Sequence, residues 1–221
     1  MANLRGNTAI VATAESDLGK VAADTSIFDL MGQATNRALD DCGLSLSDID
    51  GLFVSTSQSR MAAMGVSEYL GLRPRYFDST QIGGSSFMAH ITHAQAAIHA
   101  GMCEVALITY GSTQRTVSRA AASAREVNPY EDPYRPMMPP SAYALATSRH
   151  IYEYGTTREH LAEIAVAARK WALMNPVAWE KDPLTVDDVL NARMISYPLT
   201  VRNCCLVTDG GGAIIMTTAE R

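Results

Sequence analysis

Ile82-Gly83-Gly84-Ser85-Ser86-Phe87 sets two glycines and two hydroxyls at the head of an alanine-rich run, Phe87 to Ala100. Glycines at such a turn let backbone N–H groups approach a bound group, and a helix start adds partial positive charge. That chemistry suits an anion, an oxyanion or a nucleophile. The structural alternative is a tight turn that seats a central helix against a sheet, and spacing alone favours it. Ser85 and Ser86 are candidate nucleophiles only if a base lies beside them. His90, His93 and His99 follow on the same run. His90 and His93 are three apart and share a face, so a metal pair or an acid–base role is open, against packing. No carboxylate within the helix completes a metal set, and no metal site is expected. Arg115, Arg119, Arg125 and Arg135 suit phosphate or a solvated face equally. Tyr130, Tyr134 and Tyr143 sit in or beside an irregular stretch.

These residues need elements to position them. Arg75–Thr80 is extended and Glu104–Tyr110 is strand-like, so the glycine turn stands between a strand and a helix. Upstream, Thr8–Ala14 and Gly51–Ser55 read as strands, the first as a central buried one. Ser26, with Asp29 three residues on, caps a helix whose apolar positions are Ile27, Leu30, Met31, Ala34 and Ala38, and Gly43 ends it. Met61–Leu70 reads as a short helix stopped by Gly71 and Pro74. The order βαβαβαβ predicts an α/β fold with a mainly parallel sheet and right-handed crossovers.

After Gly111 the character changes. Ser112–Pro140 is rich in Ser, Arg, Tyr and Pro and has no periodicity, the mark of a functional loop or lid. Ala142–Tyr154 reads as a helix. A second follows with Thr156 and Glu159 as its capping box and Leu161, Ile164, Ala165 and Ala168 on one face, stopped by Pro176. Asp182–Ala192 reads as a short acidic helix and Pro198–Cys205 as irregular. Asp209-Gly210-Gly211-Gly212 reads as a turn into a final strand, Ala213–Thr218. No helix is expected after that turn, so it is no dinucleotide fingerprint.

The bulk numbers exclude several classes. The 221 residues are 47% hydrophobic and 19% charged, a globular balance. A net charge of -5 leaves no basic footprint for nucleic acid. No apolar run approaches the roughly 18 residues of a membrane span. Cys42, Cys103, Cys204 and Cys205 form no Cys-x-x-Cys pair and no disulfide framework. They read as buried free thiols in a reducing, cytoplasmic compartment, with Cys204-Cys205 packing rather than reacting.

Asn7–Val11 with Glu15–Gly19, Gly43–Gly51, Gln81–Ser86, Ala100–Leu107, and Asn203–Cys205 through Asp209–Gly211 are five stretches that together resemble the N-terminal half of the thiolase superfamily, in the lipid-transfer-protein or acetyl-CoA acetyltransferase-like branch related to sterol-carrier thiolases. Their order agrees with the family and they span nearly the whole chain. The resemblance implies a thiolase-like half-fold around a buried central helix, with core 1–111 and 208–221 and an insertion at 112–207. It implies acyl-coenzyme A thioesters as substrate with no covalently bound cofactor, and a homodimer with the third strand near the two-fold axis. It also implies a pocket-lining place for Tyr143.

Two departures carry consequences. Counting back from Ala97, Ile98 and Gly101, the family's nucleophilic cysteine position is Gly84, which cannot form a thioester. The family's C-terminal half, with its histidine, second cysteine and oxyanion group, is absent from these residues, and a fragment or a second polypeptide is the expectation. The resemblance therefore implies retro-aldol cleavage of a β-hydroxyacyl-coenzyme A, with an OB-fold partner. Gly83, Gly84, Arg115 and Arg135 would face the thioester and the coenzyme A phosphates, and the general base would lie in the missing half. A non-catalytic acyl-coenzyme A or lipid-binding subunit is the alternative. An acetyltransferase acting through Ser85 is a third reading.

Overall fold

The computed structural model describes residues 4–117 and 128–221. The calls on Arg119 and Arg125 lie outside the described residues. The chain divides into two compact units. One holds residues up to Ala124 and from Val207 on, and the other holds Arg125–Leu206.

The first unit is a sheet with helices on its two faces. Strands β1 (Thr8–Glu15), β2 (Gly51–Val54), β3 (Tyr76–Asp78), β4 (Val105–Ser112) and β7 (Gly210–Thr218) lie in the order β1-β7-β4-β2-β3. β2 pairs in parallel with both β3 and β4. β7 runs antiparallel to β4 and to β1, so four of the five strands point one way. Thr8–Ala14 is thus not central: β1 is an edge strand, and only Ala12 and Ser16 in and beside it are buried. Its apolar composition reflects cover on one face, not burial on both.

Helix α1 (Ile27–Cys42) starts at Ser26. Asp29 N–H donates to Ser26 Oγ at 3.2 Å, and Ser26 N–H donates to Asp29 Oδ2 at 2.7 Å. This is the reciprocal cap expected from the spacing. Gly43 closes the helix at φ 70°. Met31, Ala34 and Ala38 pack on Leu52, Val54, Val105, Leu107, Ala213 and Ile215, with α2 (Ala62–Leu70) extending the layer. The alternate residues of the same strands, Phe53, Ala106, Ile108 and Met216, face the other way and meet Ala94, Ala97 and Ile98 of α3 (Ser86–His99). The period-2 alternation of the strands thus divides two cores between two helices.

The Asp209–Gly212 run is strand from Gly210 on, not a turn. A Cβ on Gly211 would stand 2.6 Å from the Tyr110 carbonyl and 3.3 Å from Leu30, and one on Gly111 would stand 2.5 Å from the Ile27 carbonyl. The first turn of α1 presses on the ends of β4 and β7 there, and only glycine admits it.

The second unit holds α4 (Pro140–Tyr154), α5 (Arg158–Met174), α6 (Val186–Leu190) and a small ribbon of β5 (Met194–Ser196) and β6 (Leu199–Thr200). The α5 cap is Thr157 with His160, one residue beyond the expected Thr156 and Glu159. The α6 helix is shorter than expected, because Thr185 and Asp188 form a capping box two residues past Pro183. Ala162, Val166 and Val189 make its small core. Leu161, Ile164, Ala165 and Ala168 do share a face of α5; it lines a groove of about 700 Å³, and Ala165 also packs against that core.

Candidate functional site

The carboxyl ends of the parallel strands β2, β3 and β4 lie together, the usual place for ligands in open α/β sheets. Three loops meet there. Thr56 Oγ1 donates to the Gly111 carbonyl at 3.2 Å. Gln58 clamps Thr113 twice: its Nε2 donates to Thr113 Oγ1 at 3.0 Å and its Oε1 accepts from Thr113 N–H at 2.8 Å. Ser55, Thr56 and Thr113 are buried. None of Ser55, Thr56, Gln58 or Thr113 stands out in the sequence. Short polar residues directly after β2 and β4 are the only signal.

The third loop is the glycine turn. Gly83 has φ 72°, a left-handed conformation that glycine adopts at low cost. Gly84 has no such conformation, and a Cβ built on it meets no atom within 4 Å. Ser85 is exposed and its side chain does not cap α3. Among the described residues no base is hydrogen-bonded to it. Ser86 is fully buried. Its Oγ donates to the Gly83 carbonyl at 2.7 Å and accepts from Ile82 N–H at 2.9 Å. Ser55 Oγ donates toward it at 3.5 Å. Ser86 therefore ties the turn together and has no free proton for a base to take.

An apolar cavity of about 640 Å³ opens on the sheet beside Phe87, with Thr13, Glu15, Tyr110 and Ile214 among its walls. Its size falls in the range of small-ligand sites. Phe87 stacks edge-on against Tyr110 at 5.1 Å between centroids, which places one wall of the cavity at the start of α3.

Arg115 is engaged at the Asp209 loop. Its backbone N–H donates to Asp209 Oδ1 at 2.7 Å and its guanidinium donates to the Val207 carbonyl at 3.0 Å. Asp209, 1% exposed, also accepts from Val21 N–H and from the N–H and hydroxyl of Thr116. Burial would raise its pKa, but those donors outweigh burial and hold it below the ordinary carboxylate value. Asp209 is thus a clasp between three loops. In the second unit, Tyr143, Tyr130 and Tyr134 are exposed, and Arg135 ends a 3-10 turn at φ 47°. Arg169 and Arg202 both meet Glu180 at 3.5 Å at the groove named above.

Cys103 is buried, and burial pushes its thiol up to about 11, the state of an inert packing cysteine. Cys205 is exposed and Cys204 half-buried, against the expected burial of all four thiols. They follow a 3-10 turn and line the groove of the second unit, which leaves one side open. Among the described residues no three His, Cys, Asp or Glu side chains gather to hold a metal. Among them no helix is long and apolar enough to cross a membrane.

No protein-family model matches the chain. Curated relatives match it along its length. It is 30% identical over 99% of its length to a 17-hydroxy-3-oxo-4-pregnene-20-carboxyl-CoA lyase of Mycobacterium tuberculosis. It is 28% identical over its full length to a steroid side-chain-cleaving aldolase of Thermomonospora curvata. Over 56% of its length it is 35% identical to a benzoylsuccinyl-CoA thiolase subunit of Thauera aromatica. The homologues of this chain are thiolase-superfamily proteins of the sterol-carrier type. They match the whole chain as a thiolase half: it spans 59% of the length of each of the first two relatives. The solved structure of an Ltp2-ChsH2(DUF35) aldolase superposes with a TM-score of 0.83 at 26% identity, over 99% of this chain and 57% of that one. A monomeric SCP2-thiolase-like protein of Mycobacterium smegmatis shares the fold, with a TM-score of 0.75. The mixed α/β half-fold expected from the sequence is therefore the thiolase-like one.

Proposed function

We propose that this thiolase half serves an enzyme that cleaves a carbon–carbon bond of a β-hydroxyacyl-coenzyme A without an acyl-enzyme. The observation that carries the reading is the start of α3. It offers a glycine turn at Gly83 and Gly84, an engaged Ser86 hydroxyl and no thiol. Such a site can hold a thioester oxygen with backbone N–H groups but has nothing to take an acyl group. In a retro-aldol reaction a base removes the β-hydroxyl proton and the Cα–Cβ bond breaks. The electrons enter the thioester enolate, which is then protonated at Cα. The charge that develops sits on the thioester oxygen, where donors at the helix start act best. Gly84 is read as standing where a thiolase carries its nucleophile. The apolar cavity beside Phe87 suits an acyl or polycyclic body. The names of two relatives, a carboxyl-CoA lyase and a steroid side-chain-cleaving aldolase, support the same class. A DUF35-type partner is proposed by analogy with the aldolase structure, and so are a homodimer across β3, contacts from Arg115 and Arg135 to coenzyme A, a pocket-lining place for Tyr143, and a general base outside these residues.

The test is incubation of the protein, with whatever completes it in its source, with a β-hydroxyacyl-coenzyme A. Release of one carbonyl compound and one shortened acyl-coenzyme A in equal amounts, with no acyl adduct on intact-mass analysis, is expected. A covalent adduct on Ser85 would overturn the mechanism in favour of acyl transfer. Tight binding with no turnover would replace the reading by that of an acyl-coenzyme A-binding subunit.

A further inference from the structure

The two faces of the five-stranded sheet are covered unequally. The core beneath α1 and α2 takes in β2, β4, β7 and β1, the last through Ala12 and Ala14. Among the described residues the core on the other face holds one helix, α3, and nothing from β1. Helix α3 crosses this face obliquely. Its head meets the end of β2, where Ser55 Oγ donates toward Ser86 Oγ at 3.5 Å. Its tail meets the start of β1, where His99 Nδ1 lies 3.1 Å from Asn7 Nδ2. A wedge over the later residues of β1 and the start of β7 is left bare.

The residues of this wedge are exposed. Ile10 pairs with Met216 and Thr13 with Ile214, and both partners face α3, so Ile10 and Thr13 do as well. Ile10 is 51% exposed, and Thr13 and Glu15 are exposed beyond it. The cavity beside Phe87 lies in the wedge, with Thr13, Glu15, Tyr110 and Ile214 among its walls. The side of α3 turned away from the sheet is equally bare. Met88, Thr92 and Ala96 recur at intervals of four, opposite the buried Ser86, His90, Ala94 and Ala97. All three are exposed, Met88 to 69%.

Little on this surface repels a copy of itself. Ser86 to His99 holds no Asp, Glu, Lys or Arg, and neither does Thr8 to Ala14. Glu15 is the one charged residue among the cavity walls. The histidines of α3 are engaged or turned inward. His93 Nδ1 lies 2.6 Å from Asp78 Oδ2, and His90 is fully buried, with neither ring nitrogen hydrogen-bonded among the described residues. Each copy thus offers one bare helix side and one helix-wide vacancy, and the two match under a two-fold axis. The 14 residues of α3 span about 21 Å and five strands span about 24 Å, so the face covers roughly 500 Å². A pair buries about 1,000 Å², the lower limit for a specific interface and the size of a weak dimer.

We propose that a second copy of this chain docks on this face, the α3 of each lying over the wedge of the other. Met88, Thr92 and Ala96 of one copy seat against Ile10, Thr13 and Ile214 of the other. Small side chains at 92 and 96 let the helix approach closely, and the flexible Met88 fits the cavity mouth. The second copy thereby roofs the cavity beside Phe87. The chain itself carries both halves of this contact, so no other partner is needed to form it. It lies away from the homodimer proposed across β3, which is the opposite edge strand to β1. It is independent of the substrate and of the retro-aldol reading.

The experiment is sedimentation velocity on the full chain from ~1 to ~200 µM, the range in which a contact of that size forms. It is run in the parent and in Phe77→Asp, which silences the β3 edge at a residue 65% exposed. A dimer is expected in Phe77→Asp. Met88→Glu and Thr13→Glu, one on each side of the contact, should each weaken it by ~10-fold or more, because each buries a charge against an apolar surface. Both positions are exposed, and circular dichroism checks that the variants fold. In the parent the same two substitutions should remove one association step, which keeps the test if Phe77→Asp fails to fold. A dimer indifferent to both glutamates, or aggregates with no defined dimer, would overturn the proposal. A monomer throughout would overturn it too, and would leave the face to the part of the relatives outside the matched 59%.

Discussion

The Ser86 hydroxyl donates to the carbonyl of Gly83 at 2.7 Å, across the turn that starts the central helix. The same oxygen accepts from Ile82 N–H. A hydroxyl so used is part of the backbone scaffold. Ser86→Ala should cost about 1–3 kcal/mol, because it leaves a buried donor and acceptor unmatched. Ser85→Ala, at an exposed position with no side-chain bond among the described residues, should stay within about 0.5 kcal/mol. Urea unfolding of the two variants measures the difference.

The two glycines of the turn should separate cleanly. Gly83 is left-handed, so Gly83→Ala should destabilise by about 1–2 kcal/mol. Gly84→Ala should be nearly neutral in stability, since its Cβ direction is open. Gly84→Cys should fold as well and place a thiol at the helix start. Intact-mass analysis after exposure to an acyl-coenzyme A should then show an adduct that the parent chain lacks. Equal losses at both positions would count against this reading of the turn.

His90 sets a sign for pH dependence. Its folded pKa lies below 6.5, the ordinary value, because burial disfavours the charged ring. The unfolded chain then binds the proton more readily in the window beneath 6.5, so stability is full above it and falls on acidification. Between pH 7 and 5 the parent chain should lose stability more steeply than His90→Leu. Parallel curves from denaturant titrations would refute the assignment.

The Asp209 clasp predicts a large loss away from any chemistry. Asp209→Ala leaves the N–H groups of Val21, Arg115 and Thr116 without their acceptor and should cost about 3 kcal/mol or more. Because its folded pKa is depressed, its contribution is present above pH 3.8 and lost as pH falls through the folded value. Thermal unfolding at pH 7 and below pH 4 reads both effects, and a variant as stable as the parent would sink the clasp.

Local chemistry in this chain speaks through short-range rules. The Ser26–Asp29 cap, Gly43 at the end of α1, the strand–glycine turn–helix order and the apolar spacing on α1 depend on neighbours within four residues, and the sequence alone determines them. The same holds for the five stretches that carry the thiolase resemblance. What it leaves open is pairing at long range. A hydrophobic strand looks alike at an edge and in the middle, so only the ladders show that β1 is outermost and that β7 enters reversed between β1 and β4. Asp209-Gly210-Gly211-Gly212 reads as a turn until the carbonyls and side chains of α1 and β4 are brought against Gly111 and Gly211. Ser86 looks like Ser85 until a buried turn takes its hydroxyl. Asp78 and His93, fifteen positions apart, meet only because α3 folds back on β3, and His90 loses its partners only because that packing removes water. Hydrogen bonding and desolvation act between groups distant in sequence, so the chemistry of such groups is decided by the tertiary structure.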